Sequence, residues 1–408
     1  GRYTLQAREQ VDQELFEQFD HTKVAEWIKD NLSKGDRLGF DPRLHTARGK
    51  KALEEACAKV AAELVATESN LVDQVWSDQP ARPLSRIKPH PLEYAGESSS
   101  DKRARLGEEI AEAGADAAVL TATDSVAWLF NIRGGDVACS PLILASAILK
   151  TDGSAEVFVD PRKLDDETRG WLGDDVRCRS EEELGDALEA LGQGGCRVLV
   201  DPARSAVWAS ETVEQAGGTI IEKADPCQAA KAAKNETELE GARKAHERDG
   251  VALCRFLAWL AREAPGEQVD EITAADFLRA RRMEQDLFRD LSFDTISGSG
   301  PNGAIVHYRV SEASNRTMRQ GELYLVDSGG QYLDGTTDVT RTICIGEPGA
   351  FEREMFTRVL KGHIALAEAR FPKGTTGHQL DVLARHALWE AGRDFKHGTG
   401  HGVGSYLG

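Results

Sequence analysis

The sequence predicts a mixed α/β (α+β) protein with two α/β domains followed by a third domain that is richer in strands. Three observations support this fold class. The chain has 408 residues, more than the roughly 250 to 300 at which a single hydrophobic core stops growing. Its first two blocks alternate helical and strand-like patterns, whereas the part after Leu291 is crowded with glycine, aspartate and histidine. We expect domains at 1–78, 79–226 and 227–408.

The charge balance and the cysteine pattern exclude several classes of protein. The 50 basic and 68 acidic residues give a formal net charge of -18, which repels nucleic acid and anionic membranes. The seven cysteines are scattered and odd in number, so they indicate a reducing compartment rather than a disulfide framework or a zinc clip. No run of 18 apolar residues and no charged-then-apolar leader is present. We therefore expect a cytoplasmic protein without a nucleic-acid or membrane partner.

Local periodicity predicts the elements of the first two blocks. In the first block, VAEWIKDNL predicts a helix, RLGFDP a strand and turn, and Thr46–Glu63 an amphipathic helix. Gln79–Leu92 holds four of the 13 prolines and predicts a linker. In the second block we expect one helix and then four strands, at Lys102–Ala113, Ala117–Leu120, Leu142–Leu149, Ala155–Val159 and Arg197–Val200. Apolar residues at helical spacing follow over Ala229–Ala264.

Two aspartates mark the third block. Asp327 and Asp338 lie 11 residues apart in LVDSGGQYLDGTTDVTRT, with strand residues before the first and a Gly-Gly turn between them. A β-hairpin would bring both carboxylates together, and two carboxylates in close register require a cation. Taken alone, an Asp pair among glycines more often belongs to a turn than to a metal site, because Asp and Gly are common turn residues.

Three histidines lie in glycine-bounded segments of the same block. His397 and His401 belong to HGTGHGVG, where four glycines in eight residues let the backbone approach closely. His307 ends the short apolar strand expected in PNGAIVHY. Neutral imidazole is the commonest nitrogen ligand for divalent metals. Taken singly, each of these histidines is more often a local hydrogen-bonding or edge-strand residue than a ligand.

Together, in chain order, these five residues resemble the pattern of the pita-bread metallopeptidases, most closely the three-domain Xaa-Pro aminopeptidases. The strings LGFDPRLHT and NLVDQVW, with the strand-like opening GRYTLQA, resemble the family's first domain, and WLFNIRGGD its second. The catalytic domain is represented by GPNGAIVHY, YLVDSGGQYLDGTTDVTRT, VLKGHIALA and HGTGHGVGS. The resemblance covers essentially the whole chain and implies creatinase-type α/β domains followed by a pita-bread catalytic domain.

The resemblance also implies two divalent metal ions, typically manganese, which the family holds with two Asp, one His and two Glu. It assigns Asp327 as a terminal ligand, Asp338 as the bridging ligand and His401 as the imidazole ligand. Carboxylate oxygens with one imidazole suit Mn²⁺, and two ions about 3.5 to 4 Å apart can share one hydroxide as the nucleophile. His307 and His397 are implied to be catalytic and to bind substrate, as His401 also does, at the scissile carbonyl and the proline side.

The implied reaction removes the N-terminal residue from peptides with proline in the second position. The bond before proline is a tertiary amide, and the proline ring blocks the extended docking that general proteases use. A homodimer formed through the catalytic domain follows from the resemblance alone. Arg133, in FNIRGGD, is either a contact from the second domain into the active-site mouth or a surface turn residue.

The chain departs from the family at both ends, and two other functions stay open. The family continues beyond HGVGS with a further His and two Glu ligands, so we expect a truncated chain whose catalytic domain is incomplete at its C-terminus. A prolidase-type dipeptidase shares the fold but resembles the first two domains less, and creatinase lacks the Asp pair. A non-catalytic scaffold that binds peptides or proteins fits the missing glutamates, but not the retained Asp327, Asp338 and His401.

Overall fold

The structure, a computed structural model, describes residues 24–407, which form two compact units. The N-terminal unit comprises 24–245 with two short returning segments, 331–336 and 404–407. The C-terminal unit comprises 246–330 and 337–403. The strand-like opening GRYTLQA lies outside the described residues. Among residues 24–407, no helix is long and apolar enough to cross a membrane.

The N-terminal unit begins with a small α/β layer. Its elements are α1 Val24–Asn31, β1 Arg37–Phe40, α2 Ala47–Lys59, β2 Glu63–Ala66 and α3 Leu71–Val75. The two strands pair in parallel, and Ile28, Ala56 and Cys57 form the core against them. Helix α2 starts after Thr46 because the Thr46 hydroxyl accepts the Gly49 N–H at 3.1 Å, an N-cap that ends the strand-to-helix connection. The predicted helices and strand of this layer are confirmed.

The rest of the N-terminal unit is a six-stranded sheet with helices. Its elements are β3 Lys88–Pro89, α4 Leu92–Ala95, α5 Ser99–Glu112, β4 Ala117–Leu120, α6 Thr123–Leu129, β5 Ile132–Arg133, β6 Ser146–Lys150, β7 Ala155–Phe158, α7 Asp166–Leu172, β8 Val176–Arg179, α8 Leu184–Gln193, β9 Arg197–Val200, α9 Val207–Gln215, β10 Thr219–Glu222 and α10 Pro226–Ala232. The strand order is β10-β9-β4-β6-β7-β8, in which β6 runs antiparallel to both of its neighbours.

Both faces of this sheet are buried. Successive side chains of a strand point to opposite faces, so Leu120 and Leu149 join one apolar cluster while Val119 and Ile148 join another. The predicted helix and four strands are confirmed, although β6 starts at Ser146 rather than at Leu142. The linker prediction is wrong at its end, where β3 pairs with β5 and buries Ile87 and His90. Pro89 fits there because an edge strand tolerates a residue without an N–H donor.

The remaining elements lead into and build the C-terminal unit, apart from a small hairpin at 331–336 that belongs to the N-terminal unit. They are α11 Glu236–Glu263, α12 Glu271–Met283, β11 Phe288–Leu291, β12 Ile296–Ser299, β13 Leu323–Ser328, β14 Gly330–Tyr332, β15 Gly335–Thr336, β16 Val339–Cys344, α13 Ala350–Ala367 and α14 Gly377–Trp389. Strands β12, β13 and β16 form an antiparallel sheet, and Phe256 of α11 packs in one core with Tyr324 and Val326 of β13. The helical spacing over Ala229–Ala264 corresponds to two helices, α10 and α11, because Asn235 and Glu238 form reciprocal hydrogen bonds that start α11.

Candidate metal centre

The two predicted carboxylates lie on adjacent strands of the C-terminal unit. Asp327 is in β13 directly opposite Thr340 of β16, and Asp338 immediately precedes β16. The predicted antiparallel pairing is therefore confirmed. The predicted Gly-Gly turn is wrong, because the connection contains a second, smaller hairpin made of β14 and β15. Position 329 requires glycine for a different reason: the Thr337 carbonyl approaches its backbone so closely that a Cβ there would overlap it.

The environment of Asp327 disfavours a bare negative charge. Burial raises the pKa of Asp327 above its ordinary value, and the Asp338 carboxyl, within hydrogen-bonding range, adds to the rise. The Thr340 hydroxyl opposes it by donating to Asp327 Oδ1 at 2.7 Å, and the charge of His307 also opposes it. Two neighbouring carboxylates of this kind need a proton or a metal ion to balance them.

His401 completes a chain of contacts with these carboxylates. Its Nε2 lies 3.3 Å from Asp338 Oδ2, and its side chain is 72% exposed. Its Nδ1 lies 2.8 Å from the Gly402 carbonyl, which can only accept, so Nδ1 carries the proton. In the neutral ring Nε2 is then an acceptor, and it faces another acceptor, the Asp338 carboxylate. A cation shared between them, either a second proton or a metal ion, would make this contact favourable. A ring whose Nδ1–H is held by a carbonyl is the usual arrangement of a metal-binding histidine.

His307 lies near Asp327 in a strained turn. Its φ is +57°, in the left-handed region that non-glycine residues seldom adopt. The strand predicted to end at His307 is wrong, because Gly300–Ala304 forms a 3-10 helix with Pro301 in its first turn, and a turn follows. His307 itself is exposed.

A buried carboxylate that sequence reasoning missed holds this turn. Glu271 is fully buried and accepts the Ser299 N–H at 2.6 Å, the Asn302 amide at 3.0 Å and the Tyr308 hydroxyl at 3.0 Å. It thereby fixes both sides of the segment that carries His307. The only sequence signal was Asn302 in the turn, because Glu271 itself lies in an ordinary amphipathic helix.

His397 makes hydrogen bonds and a ring contact within its own segment and with α14. Its Nδ1 lies 2.7 Å from the Gly398 carbonyl, and its backbone carbonyl accepts a hydrogen bond from Arg385. The centre of its ring lies 4.6 Å from that of Phe395, with the two rings tilted by 32°. It lines a cavity of about 440 Å³ with residues of α13 and α14. None of these hydrogen bonds or ring contacts involves Asp327, Asp338 or His401.

Arg133 fits neither sequence interpretation as stated. It is buried in β5 of the N-terminal unit, so the surface-turn alternative is wrong. Its guanidinium donates to backbone carbonyls inside that unit instead of reaching an open surface.

The structure thus joins Asp327 to Asp338 and Asp338 to His401, with His307 close by. Within residues 24–407, no three His, Cys, Asp or Glu side chains are already arranged as a group that could hold a metal ion. The donor set nevertheless fits a divalent cation, because two oxygen ligands with unbalanced charge face one correctly oriented imidazole.

Family models match nearly the whole length of the chain. Residues 1–75 and 78–238 match Creatinase/Prolidase N-terminal domains, and residues 240–407 match Metallopeptidase family M24. A probable Xaa-Pro aminopeptidase P from Penicillium rubens is 42% identical over 421 residues, covering 100% of this chain and 68% of that protein. One from Paracoccidioides brasiliensis is 41% identical over 427 residues, covering 100% of this chain and 69% of that protein.

Solved structures agree with these matches. The X-prolyl aminopeptidase of Caenorhabditis elegans, described as a cytosolic enzyme with a di-nuclear active site, superposes with a TM-score of 0.92 at 35% identity, over 100% of this chain and 68% of that chain. An Xaa-Pro dipeptidase from Bacillus anthracis shares the fold at a TM-score of 0.60 and 23% identity, over 75% of this chain and 82% of that chain. The chain has creatinase-type N-terminal domains followed by a pita-bread catalytic domain, and it belongs to the Xaa-Pro aminopeptidase P group of metallopeptidase family M24.

Proposed function

We propose that this protein is a metal-dependent Xaa-Pro aminopeptidase, which hydrolyses the first peptide bond of substrates with proline in the second position. The observation that supports it most directly is the position of the Asp338 carboxylate, which contacts both Asp327 and His401. The fungal relatives and the nematode enzyme carry the same activity in their names.

Two divalent cations, manganese in our proposal, would be held by Asp327, Asp338 and His401. Asp338 is the proposed bridging ligand because it contacts the other two, and Asp327 is the proposed terminal ligand. When bound, such ions polarise a carbonyl and make water a competent nucleophile at neutral pH.

The proposed substrate contacts come from the histidines. His307 is exposed beside Asp327, where its ring can donate a hydrogen bond to the scissile carbonyl and stabilise the developing oxyanion. His397, at the cavity lined by α13 and α14, is the proposed contact on the proline side and the proton donor to the leaving nitrogen. His401 contributes to substrate binding through its exposed ring.

Several further attributes belong to the same proposal. They are domain boundaries at 1–78, 79–226 and 227–408, a homodimer formed through the catalytic domain, and a cytoplasmic location. The scattered cysteines, odd in number, support a reducing compartment.

The test is a substrate panel assayed with the full-length protein and Mn²⁺. The panel contains an Xaa-Pro tripeptide, the matching Xaa-Ala tripeptide and an Xaa-Pro dipeptide. We expect release of the first residue from the Xaa-Pro tripeptide alone. Preference for the dipeptide would instead establish a prolidase, and binding of the intact tripeptide without turnover would establish a scaffold.

A further inference from the structure

Arg133 of β5 holds a chain segment that follows His401. It is 4% exposed. Its Nε donates to the Tyr406 carbonyl at 2.5 Å and its Nη2 to the Ser405 carbonyl at 3.2 Å, while Nη1 donates to the Ala127 and Ile132 carbonyls at 2.9 and 3.0 Å. Each of these four hydrogen bonds ends on the backbone, so the guanidinium fixes the course of the chain rather than a particular side chain.

The β14–β15 hairpin holds the same segment from a second direction. The Thr336 hydroxyl lies 3.0 Å from the Leu407 carbonyl and 2.7 Å from Gln331 Oε1, and it accepts the Leu407 N–H at 3.3 Å. The Gln331 amide donates to the Cys139 carbonyl at 3.1 Å and lies 3.4 Å from the Leu407 carbonyl. Both side chains are buried. We call Arg133, Gln331 and Thr336 the anchor residues.

The hairpin itself is tightly fixed in the N-terminal unit. A Cβ at Gly241 of α11 would overlap the Asp334 carbonyl, and one at Gly335 would lie 3.0 Å from the Ala245 methyl. The hairpin therefore lies directly on the helix backbone, where small residues permit close approach.

The chain order links these contacts to the candidate metal centre. The β14–β15 hairpin is the connection between Asp327 and Asp338, and Ser405 follows His401 by four residues, which span at most about 14 Å. The anchor residues therefore hold the loop between the two carboxylates and the chain beyond the imidazole in one buried cluster.

We propose that Arg133 and Thr336 are positioning residues, which restrain the segment after His401 so that its imidazole stays at the carboxylate pair. This inference rests on the proposed function for its kinetic consequences. A buried cation without a hydrogen-bonded carboxylate is costly, and an apolar side chain would fill the same space without that cost. The planar guanidinium presents donors in several fixed directions, which neither an apolar side chain nor a lysine can do.

The sharpest test removes one hydroxyl. Thr336→Val keeps the shape of the side chain, Thr336→Ser restores the hydroxyl, and Arg133→Met removes the second group of donors. The matched control is Thr168→Val, because Thr168 is also buried in the same unit. Its hydroxyl lies 2.8 Å from Asp165 Oδ1 and 3.1 Å from the Ile87 carbonyl, and neither of these partners is an anchor residue.

Three readouts are compared in the full-length protein. In Thr336→Val and Arg133→Met we expect amide hydrogen exchange of residues 401–407 to quicken about 10-fold, Mn²⁺ affinity by calorimetry to fall about 10-fold, and kcat to fall more than KM rises. Thr336→Ser should recover most of each change, and Thr168→Val should show none of them at a similar loss of stability.

Unchanged exchange at 401–407 in Thr336→Val, or equal effects in Thr168→Val, would overturn the positioning role. Should Arg133→Met fail to fold, the comparison of Thr336→Val with Thr336→Ser tests the positioning role by itself. A wild-type protein that cleaves no Xaa-Pro peptide would defeat the proposed function, while hydrogen exchange and Mn²⁺ binding would still decide for or against the anchor.

Discussion

The buried charged side chains of the N-terminal unit and the candidate-site side chains of the C-terminal unit lie in different environments. In the N-terminal unit, Lys102, Arg133 and Lys163 are almost completely buried, and each is bonded to a backbone carbonyl or to a buried carboxylate. In the C-terminal unit, His307 and His401 are exposed, and Asp327 and Asp338 are half-buried beside them. The first group holds the fold together, and the second faces solvent where a substrate can reach it.

The sheets explain this difference. All four residues of β4 are buried, whereas the central residues of β16 are exposed and β13 alternates between buried and partly exposed positions. A strand covered on both faces has no position for a reactive group. The burial of the strands therefore distinguishes polar groups that stabilise the fold, beside fully buried strands, from polar groups that can react, beside partly exposed strands.

The largest effect is expected for Asp338→Ala, which should abolish both turnover and metal loading, with kcat/KM at least about 1,000-fold lower. The reason is that Asp338 contacts both of the other proposed ligands. Bound metal is measured by mass spectrometry, and the urea stability of the metal-free protein should change by less than about 0.5 kcal/mol. Asp290→Ala, an exposed aspartate in β11, is the control. A large loss of metal-free stability in Asp338→Ala would break the comparison between the units.

Asp249→Ala tests whether burial, rather than the unit, decides the role of a polar group. Asp249 lies in the C-terminal unit but is buried, and it accepts from Arg282 Nε at 2.7 Å and from Nη2 at 3.0 Å. Leaving the Arg282 charge unpaired should lower the free energy of unfolding by about 3 to 5 kcal/mol. Urea unfolding measures it, and Asp249→Leu combined with Arg282→Met should recover most of the loss. A loss below about 1 kcal/mol would contradict the prediction.

His307→Ala should leave the metal bound and slow the chemical step by about 100-fold, because the ring acts on the substrate rather than on the metal. Single-turnover rates and bound metal are measured together. His378→Ala, an exposed histidine at the start of α14, is the matched control. Equal loss of metal in His307→Ala and Asp338→Ala would refute the division of roles between them.

The parts of the fold that depend on neighbouring residues could be predicted from the sequence. Ala117–Leu120 is a continuous apolar run, and Arg197–Val200 is apolar after its first residue. The structure places β4 and β9 on the same residues. The closeness of Asp327 and Asp338 follows from antiparallel pairing of the strands that flank them. The small hairpin between them was missed because Gly329 and Gly330 resemble a turn, and only the Thr337 backbone shows why a glycine is required.

The parts that depend on distant residues could not be predicted in this way. Arg133 pairs with Tyr406, which lies 273 residues later, and no local pattern indicates that partner. Glu271 was missed for the same reason, since the groups that donate hydrogen bonds to its carboxylate lie 28 to 45 residues away. The approach of His401 to Asp338 was expected only because of the family resemblance, not because of the spacing of the residues.

The smallest effect concerns His90, a buried histidine of the N-terminal unit whose ring lies 5.7 Å from that of Tyr406. Burial, and then the charges of Arg133 and Lys102, lower the pKa of His90 from 6.5 to about 2. Because the unfolded chain binds a proton near pH 6.5 that the folded protein rejects, the stabilising contribution is complete above that pH and is lost as the pH falls below it. Between pH 7.5 and 5.5 the free energy of unfolding should fall by about 1.4 kcal/mol on account of this residue.

His90→Gln should remove that pH dependence in urea unfolding, whereas His386→Gln, whose ring is largely exposed, should keep it. Equal pH dependence in wild type and His90→Gln would mean that the ring is protonated inside the fold, and the contrast between buried structural groups and exposed reactive groups would then fail at this position.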